Sequence, residues 1–533
     1  MKWIFFILIS VVSCAQKPEQ TKAEKTQLVS STDSIPNSTI AGNFSSQTEL
    51  RFDSARIDSF FKAYPVFKKY SSDYKKFYSN RKFAYAWHNE QGLIEQSSIL
   101  YNRIVQIRDN GLNPDIPYEE AYKNMMEDAS LGLSTDRELM LTGQYLVYAS
   151  KVLTGLSESK LKEIEWYIPK KKTDYASLLD SLLSGRKVDS AKLLFPQYYQ
   201  LRDKLKVYYD IEKRNSWVTI KPDKKKYEKG DSSPVIREIR KKLFLSGDIA
   251  NNNDSEVFDE ELSKGIKEFQ RRYGLKEDGV AGPGVLKEMS APLSKRIEQI
   301  IVNMERCRWL PAEEDASFLM VNIPQFKLLA VENGNQTFTS DVVVGKETNK
   351  TVIFKGDMKY VVFSPYWNVP QSIVTKEIIP GIRKNPNYLA KHNMEYYEGG
   401  KIRQKPGKNN SLGLVKFLFP NSFNIYLHDT PSKSLFSEDK RAFSHGCIRV
   451  AKPFELAQYL LRYDQNWNEE KIRAAMNSGK EQYVTLKKTV PVYLVYLTAF
   501  VDNKGKLNFR EDIYSRDQHL KEMLFSQNPP ANK

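Results

Sequence analysis

The sequence predicts a multidomain α+β protein: a helical N-terminal scaffold, a compact three-helix module, and a mainly β domain with an inserted capping flap. Three observations carry this expectation. At 533 residues the chain exceeds what one hydrophobic core sustains. Apolar residues recur at helical spacing up to about Asn215, and again in a short stretch beyond a lysine-rich linker. From Ser317 the texture changes to β-branched and aromatic runs separated by turn signals.

The chain begins MKWIFFILISVVSC, with a basic Lys2, an apolar run from Trp3 to Val12, then Ser13 and Cys14. That run is too short to span a bilayer as a helix but suits the core of an export signal. Val11-Val12-Ser13-Cys14 resembles a bacterial lipobox, which makes residues 1–14 a lipoprotein signal and Cys14 the site of lipidation. Acyl chains would then hold the protein at a membrane without a spanning helix. An ordinary signal peptide with an incidental Cys is the alternative. Residues 15–49, dominated by Ser, Thr, Lys and Gln, read as a flexible tether.

Residues 50–215 read as the helical scaffold domain. Leu100, Ile104 and Ile107 form a stripe that stops at Gly111 with Pro114 beyond, and Tyr145, Tyr148 and Val152 repeat it before Gly155. A linker at 216–232 leads to the module at 233–293, where three short helices can be drawn. Val235, Ile239 and Leu243 mark the first, and Leu262, Ile266, Phe269 and Tyr273 the second. The third opens at Pro283 and carries Leu286 and Met289, after a turn at Asp278-Gly279. A connecting helix is expected within 294–316. Within 317–500, Asn333-Gly334 between β-type runs is a hairpin signal, and later strands fall at KYVVFSPYW, NIYLH and VPVYLVYLTAFV. The stretch from about Gln371 to Gly413 is poor in strand pattern and reads as the flap, and 501–533 as a C-terminal extension.

The formal net charge of +16 suits an acidic partner, such as an anionic membrane surface or an acidic polymer. Scattered lysines on solvated faces are the plain alternative. No RNP-like string, zinc-finger spacing or leucine-zipper heptad is present, so no nucleic-acid partner is expected.

The chemistry concentrates in AFSHGCIRVAKP, from Ala442 to Pro453, and in NIYLHDTP upstream of it. A thiol is a poor nucleophile until ionised, and a neutral imidazole within reach can take its proton. His428 and His445 are the available bases for Cys447. In an extended stretch His445 would share a side with Cys447 and could touch it or buttress the loop. Gly446 would let backbone amides approach a reacting carbonyl, and Arg449 could lower the thiol pKa or hold a substrate carboxylate. A zinc site on His428, His445 and Cys447 lacks a dependable fourth ligand. A disulfide from Cys447 to Cys307 would leave both histidines unexplained. A Cys–His nucleophile pair accounts for every member of the set.

HDTP followed by SHGCIRV, with fifteen residues between His428 and Ser444, resembles the signature of YkuD-type L,D-transpeptidases. VVVGKETNKTVIF, SPYWNVPQSIVTKEIIP, FYSNRKFAYAWHNEQGL, NMERCRWLP and the closing FREDIYSRDQHL are similar to the large YcbB-like branch. VIREIRKKL, GIKEFQRRYGL and DGVAGPGVL resemble a peptidoglycan-binding module. Cys307 stands where that branch would have an aromatic residue, and is expected to be a small buried hydrophobe.

The resemblance implies Cys447 as nucleophile and His428 as general base, then acid, its imidazole held by neighbouring backbone. It implies that His445, Gly446 and the Cys447 amide build the loop and oxyanion site, with Ser444 and Arg449 in support, and that Tyr366 and Trp367 line the cleft. The implied reaction is 3-3 cross-linking of peptidoglycan stem peptides through a Cys thioester, with release of D-alanine. Water as acceptor would make an L,D-carboxypeptidase, and a dead domain a wall-tethering lipoprotein. No metal or cofactor is required. The implied location is the cell envelope, as an exported periplasmic lipoprotein at the outer membrane, with cell-wall synthases as candidate partners.

Overall fold

The β-rich runs after Ser317 form one closed sheet. In a computed structural model that describes residues 50–525 except 90–91, 185, 187, 189–192 and 313–316, helices occupy most of the chain before it. The signal, Cys14 and the tether lie outside the described residues.

The N-terminal region folds as α1 (Ala55–Ala63), α2 (Ser71–Asn80), α3 (Glu95–Val105), α4 (Glu119–Glu127), α5 (Thr135–Ala149), α6 (Glu158–Glu163), α7 (Tyr175–Leu183) and α8 (Pro196–Lys213). The predicted end at Gly111 is present, in left-handed conformation at φ 67°. The helix α5 departs from expectation: it is buried almost all round, because neighbours pack on every side of it. Two features of this region carry no helical signal at all. β1 (His88–Asn89) and β2 (Gly92–Leu93) make a small hairpin, and β3 (Trp166–Tyr167) leaves the region to pair with a strand of the C-terminal sheet.

The module contains α9 (Pro234–Leu245), α10 (Glu260–Tyr273) and α11 (Pro283–Met289). Ser233 caps α9, Asp259 caps α10 and Gly274 ends α10 at φ 66°, so each terminus has the residue its geometry favours. The stripe on α9 is Ile236, Ile239 and Leu243; Val235, expected on it, is only half-buried because it stands at the first turn. The helix α12 (Leu293–Arg308) then runs between the helical region and the sheet, packed along α8.

The sheet comprises β4 (Ser317–Asn322), β5 (Lys327–Glu332), β6 (Asn335–Gly345) and β7 (Ile353–Phe363), then, after the flap, β11 (Val415–Leu418), β12 (Leu427–His428), β13 (Ala442–Ser444), β14 (Ile448–Val450) and β15 (Gln482–Val495). Strand order is β11-β12-β14-β6-β5-β4-β15-β7, and β11 returns to pair with β7, closing the ring. Asn333 and Gly334 both take positive φ, 48° and 77°, and join β5 to β6 as a two-residue turn. Between β7 and β11 lies the flap: β8 (Trp367–Asn368), α13 (Gln371–Ile373), α14 (Ile379–Lys384), α15 (Tyr388–Lys391), β9 (Met394–Tyr397) and β10 (Lys401–Gln404). Its core of Val369, Ile373, Val374, Ile378 and Ile402 is separate from the main one, so the flap packs as a small unit of its own. The helices α16 (Pro453–Leu461) and α17 (Glu469–Asn477) cover the sheet, and β16 (Ala499–Val501), β17 (Leu507–Phe509) and α18 (Arg516–Phe525) finish the described chain. These last elements are integral rather than appended, since α18 packs on α12 and β17 on α10.

One buried ion pair ties α12 to the helical region. Arg308 binds Glu305 at 2.7 Å and donates to the carbonyls of Asn110 and Val152, while Glu305 accepts from the Leu156 N–H and the Trp309 indole. Removing one partner of such a pair strands the other charge. Arg308→Ala should cost about 3–5 kcal/mol and lower the calorimetric midpoint. A variant melting with the wild type would show that this junction does not hold the two regions together.

Candidate active site

The short strand β12 exists because Ile425 and Leu427 turn inward, and period-two alternation then sends Tyr426 and His428 to the opposite face. Its partner β14 runs parallel to it, with Leu427 opposite Ile448 and His428 opposite Arg449. The Ile448 N–H donates to the Tyr426 carbonyl at 3.1 Å, which sets the register one residue earlier and places Cys447 beside Tyr426. One face therefore carries Tyr426, His428, Cys447 and Arg449 together. On the other side of β12, Lys416 of β11 lies opposite His428.

His428 is buried, and its Nδ1 bonds the Asp429 carbonyl. A carbonyl can only accept, so Nδ1 carries the proton and Nε2 is left as the acceptor. Burial first, then the Arg449 and Lys433 charges, push the imidazole down to about 3, against the weaker opposing pull of the Asp429 carbonyl. Burial pushes the half-buried Cys447 thiol above its ordinary range, against the smaller opposing effects of Tyr426 and Arg449. Both shifts favour the uncharged form of each group, a protonated thiol and a neutral imidazole. In this conformation the Cys447 Sγ–H points to the Asn424 carbonyl at 3.6 Å, and the Tyr426 hydroxyl is hydrogen-bonded to the sulfur. The Nε atom of Arg449 has no partner, and no carboxylate pairs with its guanidinium among the described residues.

The loop before Cys447 corrects one expectation. Residues 445–447 bend instead of running extended, with Gly446 at φ 117°, so His445 does not share a side with Cys447. Its Nε2 lies 3.1 Å from Glu377 on the flap, away from the sulfur. The Gly446 N–H is committed to Ser444 Oγ at 3.1 Å, which removes that amide from any oxyanion site. Ser444, buried, also donates to the Cys447 carbonyl at 2.6 Å and so closes the loop on itself. Tyr366 and Trp367 are half-buried at the start of the flap. Tyr366 lies under the Arg403 guanidinium at 4.1 Å, while Trp367 packs on the flap core and its indole reaches the Tyr426 hydroxyl. Cys307 is fully buried and free, its thiol pushed up to about 12 by burial.

Two residues make contacts at the site that the sequence reading did not single out. Tyr426 stands two before His428, and the same alternation that marks NIYLH as a strand would have placed it on the His428 face. Glu377 arrives from the flap and leaves no sequence signal. The Asp429 carbonyl is the neighbouring backbone that the family resemblance implies as the hold on the His428 ring.

Comparison with known proteins bears on this geometry. Residues 316–491 match the YkuD family, described as the L,D-transpeptidase catalytic domain. The C-terminal β domain is thus similar, over residues 316–491, to the YkuD-type catalytic domain of L,D-transpeptidases. Residues 72–205 match a scaffold domain, and residues 232–289 match a family described as "Putative peptidoglycan binding domain". A Haemophilus influenzae protein described as "Putative L,D-transpeptidase" is 31% identical over 255 residues, covering 44% of this chain. The chain spans about half the length of that curated relative, 51% of it. Among solved structures, an L,D-transpeptidase from Xylanimonas cellulosilytica is 15% identical, with 52% of this chain and 100% of that chain covered and a TM-score of 0.18. One from Mycobacterium smegmatis is 16% identical, with 34% and 58% covered and a TM-score of 0.20.

A neutral pair has a kinetic signature. Alkylation of Cys447 by iodoacetamide, followed by mass at its own peptide, should rise about tenfold per pH unit from pH 6 to pH 9, because only the thiolate reacts. The sign follows from the raised thiol: acid keeps it protonated. A rate already level at pH 6 would mean a resting thiolate–imidazolium pair instead.

Proposed function

We propose that the protein is a peptidoglycan L,D-transpeptidase that forms 3-3 cross-links through a thioester on Cys447. The observation that carries this reading is the face shared by Cys447, His428 and Arg449, with the imidazole held in the tautomer that leaves Nε2 free to take a proton. The family match of the surrounding domain and the accompanying peptidoglycan-binding domain support peptidoglycan as the substrate.

The donor is a tetrapeptide stem. Sγ attacks the carbonyl carbon of its third residue while Nε2 of His428 takes the thiol proton, since neither group is charged at rest. The step requires Cys447 Sγ–H to leave the Asn424 carbonyl, to which it points at rest, and to turn to Nε2 of His428. An S–C bond forms, the C–N bond to the terminal D-alanine breaks, and His428 returns the proton to the leaving amine. The side-chain amine of a neighbouring stem then attacks the thioester, giving up a proton to His428 as the thiol is regenerated. The unpaired Arg449 guanidinium is suited to a stem carboxylate, by a charge-assisted hydrogen bond. Cys14 would carry lipid, with the tether spanning from an outer-membrane anchor to the wall.

Purified protein incubated with defined tetrapeptide muropeptides should yield cross-linked dimer minus one D-alanine, identified by mass. Cys447→Ala should abolish it, and His428→Ala should slow it by about 10²–10⁴-fold. Product that is only trimmed tripeptide would make water the acceptor. Turnover by Cys447→Ala would end the proposal. Replacing Cys14 should release the protein from membranes in fractionation; a variant that still pellets would remove the lipid anchor.

A further inference from the structure

The loop that carries Cys447 is held from behind by a buried hydrogen-bond path. Thr351, fully buried between the 3₁₀ turn Glu347–Asn349 and β7, donates its hydroxyl to the Gly446 carbonyl at 2.9 Å. The same Oγ1 accepts the Gly345 N–H at 2.9 Å. Its one hydrogen is therefore spent on Gly446. Peptide planarity carries the consequence across the next bond: with the Gly446 carbonyl pinned toward Thr351, the trans Cys447 N–H must point the opposite way. That direction is away from the buried Thr351 side. No group accepts from this N–H among the described residues, whereas the Gly446 N–H is already bound to Ser444.

Thr351 is itself fixed by Tyr514. The Tyr514 hydroxyl accepts the Thr351 N–H at 3.3 Å and donates to the Gly345 carbonyl. Tyr514 is 1% exposed and lies outside the stretch matched by the catalytic-domain family, 316–491. Tyr514 thus backs Thr351, and Thr351 alone reaches the Gly446 carbonyl of the Cys447 loop.

We propose that Thr351, backed by Tyr514, is a positioning residue that aims the Cys447 N–H at the oxyanion formed when Sγ attacks a carbonyl. The inference rests on the reading of Cys447 as the acylated nucleophile. An oxyanion donor stabilises charge that exists only in the transition state, so its alignment affects acyl transfer and leaves other reactions of the thiol alone.

The test compares two reactions of the same sulfur in the full-length protein. Acylation by the β-lactam imipenem forms the Sγ–C bond, breaks the lactam C–N bond and returns the proton to the ring nitrogen, passing through an oxyanion. Alkylation by iodoacetamide displaces iodide and needs none. Thr351→Val keeps the shape and removes the hydroxyl; it should lower the acylation rate constant about 10- to 100-fold while alkylation changes less than about twofold. Thr351→Ser should restore acylation. Tyr514→Phe, one step further back, should lose about 3- to 10-fold in acylation alone, and carries the same test should the valine variant not fold. Wild-type acylation in Thr351→Val, a parallel loss of both reactions, or a serine variant no better than valine would overturn the inference. A wild-type protein that is alkylated but never acylated would take down the transpeptidase reading and this inference with it.

Discussion

The parallel pairing of β12 with β14 is the constraint on which the rest of the site depends. The strands contribute only two and three residues, yet their register decides which side chains meet. A slip of one residue would send His428 into the core and bring Leu427 to the sulfur. Parallel strands need a long crossover, and here it is the segment from Asp429 to Cys447, which lies across β6 through β13 before turning at Gly446. The crossover is therefore also the loop that carries Cys447. Its length is set by topology, and its last turn by the glycine that tolerates φ 117°.

Burial decides how this face can act. A solvent-exposed Cys–His couple settles readily into a thiolate and an imidazolium. Here both members are held where charge is disfavoured, and two cations, Arg449 and Lys433, further oppose a proton on His428. At rest the imidazole is thus favoured in its neutral form. The bond from Nδ1 to the Asp429 carbonyl serves this arrangement, since it fixes the ring without adding the negative charge that a carboxylate would bring. A neutral carbonyl orients; an aspartate would also have stabilised the imidazolium.

Much of the fold, and the pair of residues that the site is built around, was legible in the sequence, for identifiable reasons. Helix ends at Gly111 and Gly155, the Asn333-Gly334 turn and the module's three helices depend on local conformational preference, which single residues report. Cys447 and His428 were legible because few thiols and imidazoles occur, and each stands in a distinctive neighbourhood. What escaped depends on contacts between distant segments. β3 joins the sheet 187 positions before its partner Ile353 (353 minus 166), and two residues have no periodicity to detect. His445 was misplaced because alternation applies to extended chain, and the loop bends. Thr351 acts on a backbone carbonyl 95 positions away, so its place in the sequence gives little warning.

The three-helix module is not a loosely strung appendage in this structure. Arg272 at the end of α10 donates to the Leu507 carbonyl and pairs with buried Asp248, while Arg510 returns hydrogen bonds to the carbonyls of Arg271 and Arg272. Arg271 adds a bond of 3.1 Å to Asp502. These contacts grip the chain at 502–510, and four residues further on Tyr514 reaches the loop of Gly345 and Thr351. Guanidinium groups suit this work, because their planar donors reach several carbonyls at once and keep their charge when buried. The segment gripped by the module is thus continuous with the one that braces the catalytic loop. Motion of the module relative to the barrel would strain that segment first, which makes a fixed docking of the two domains the arrangement that preserves the geometry around Cys447.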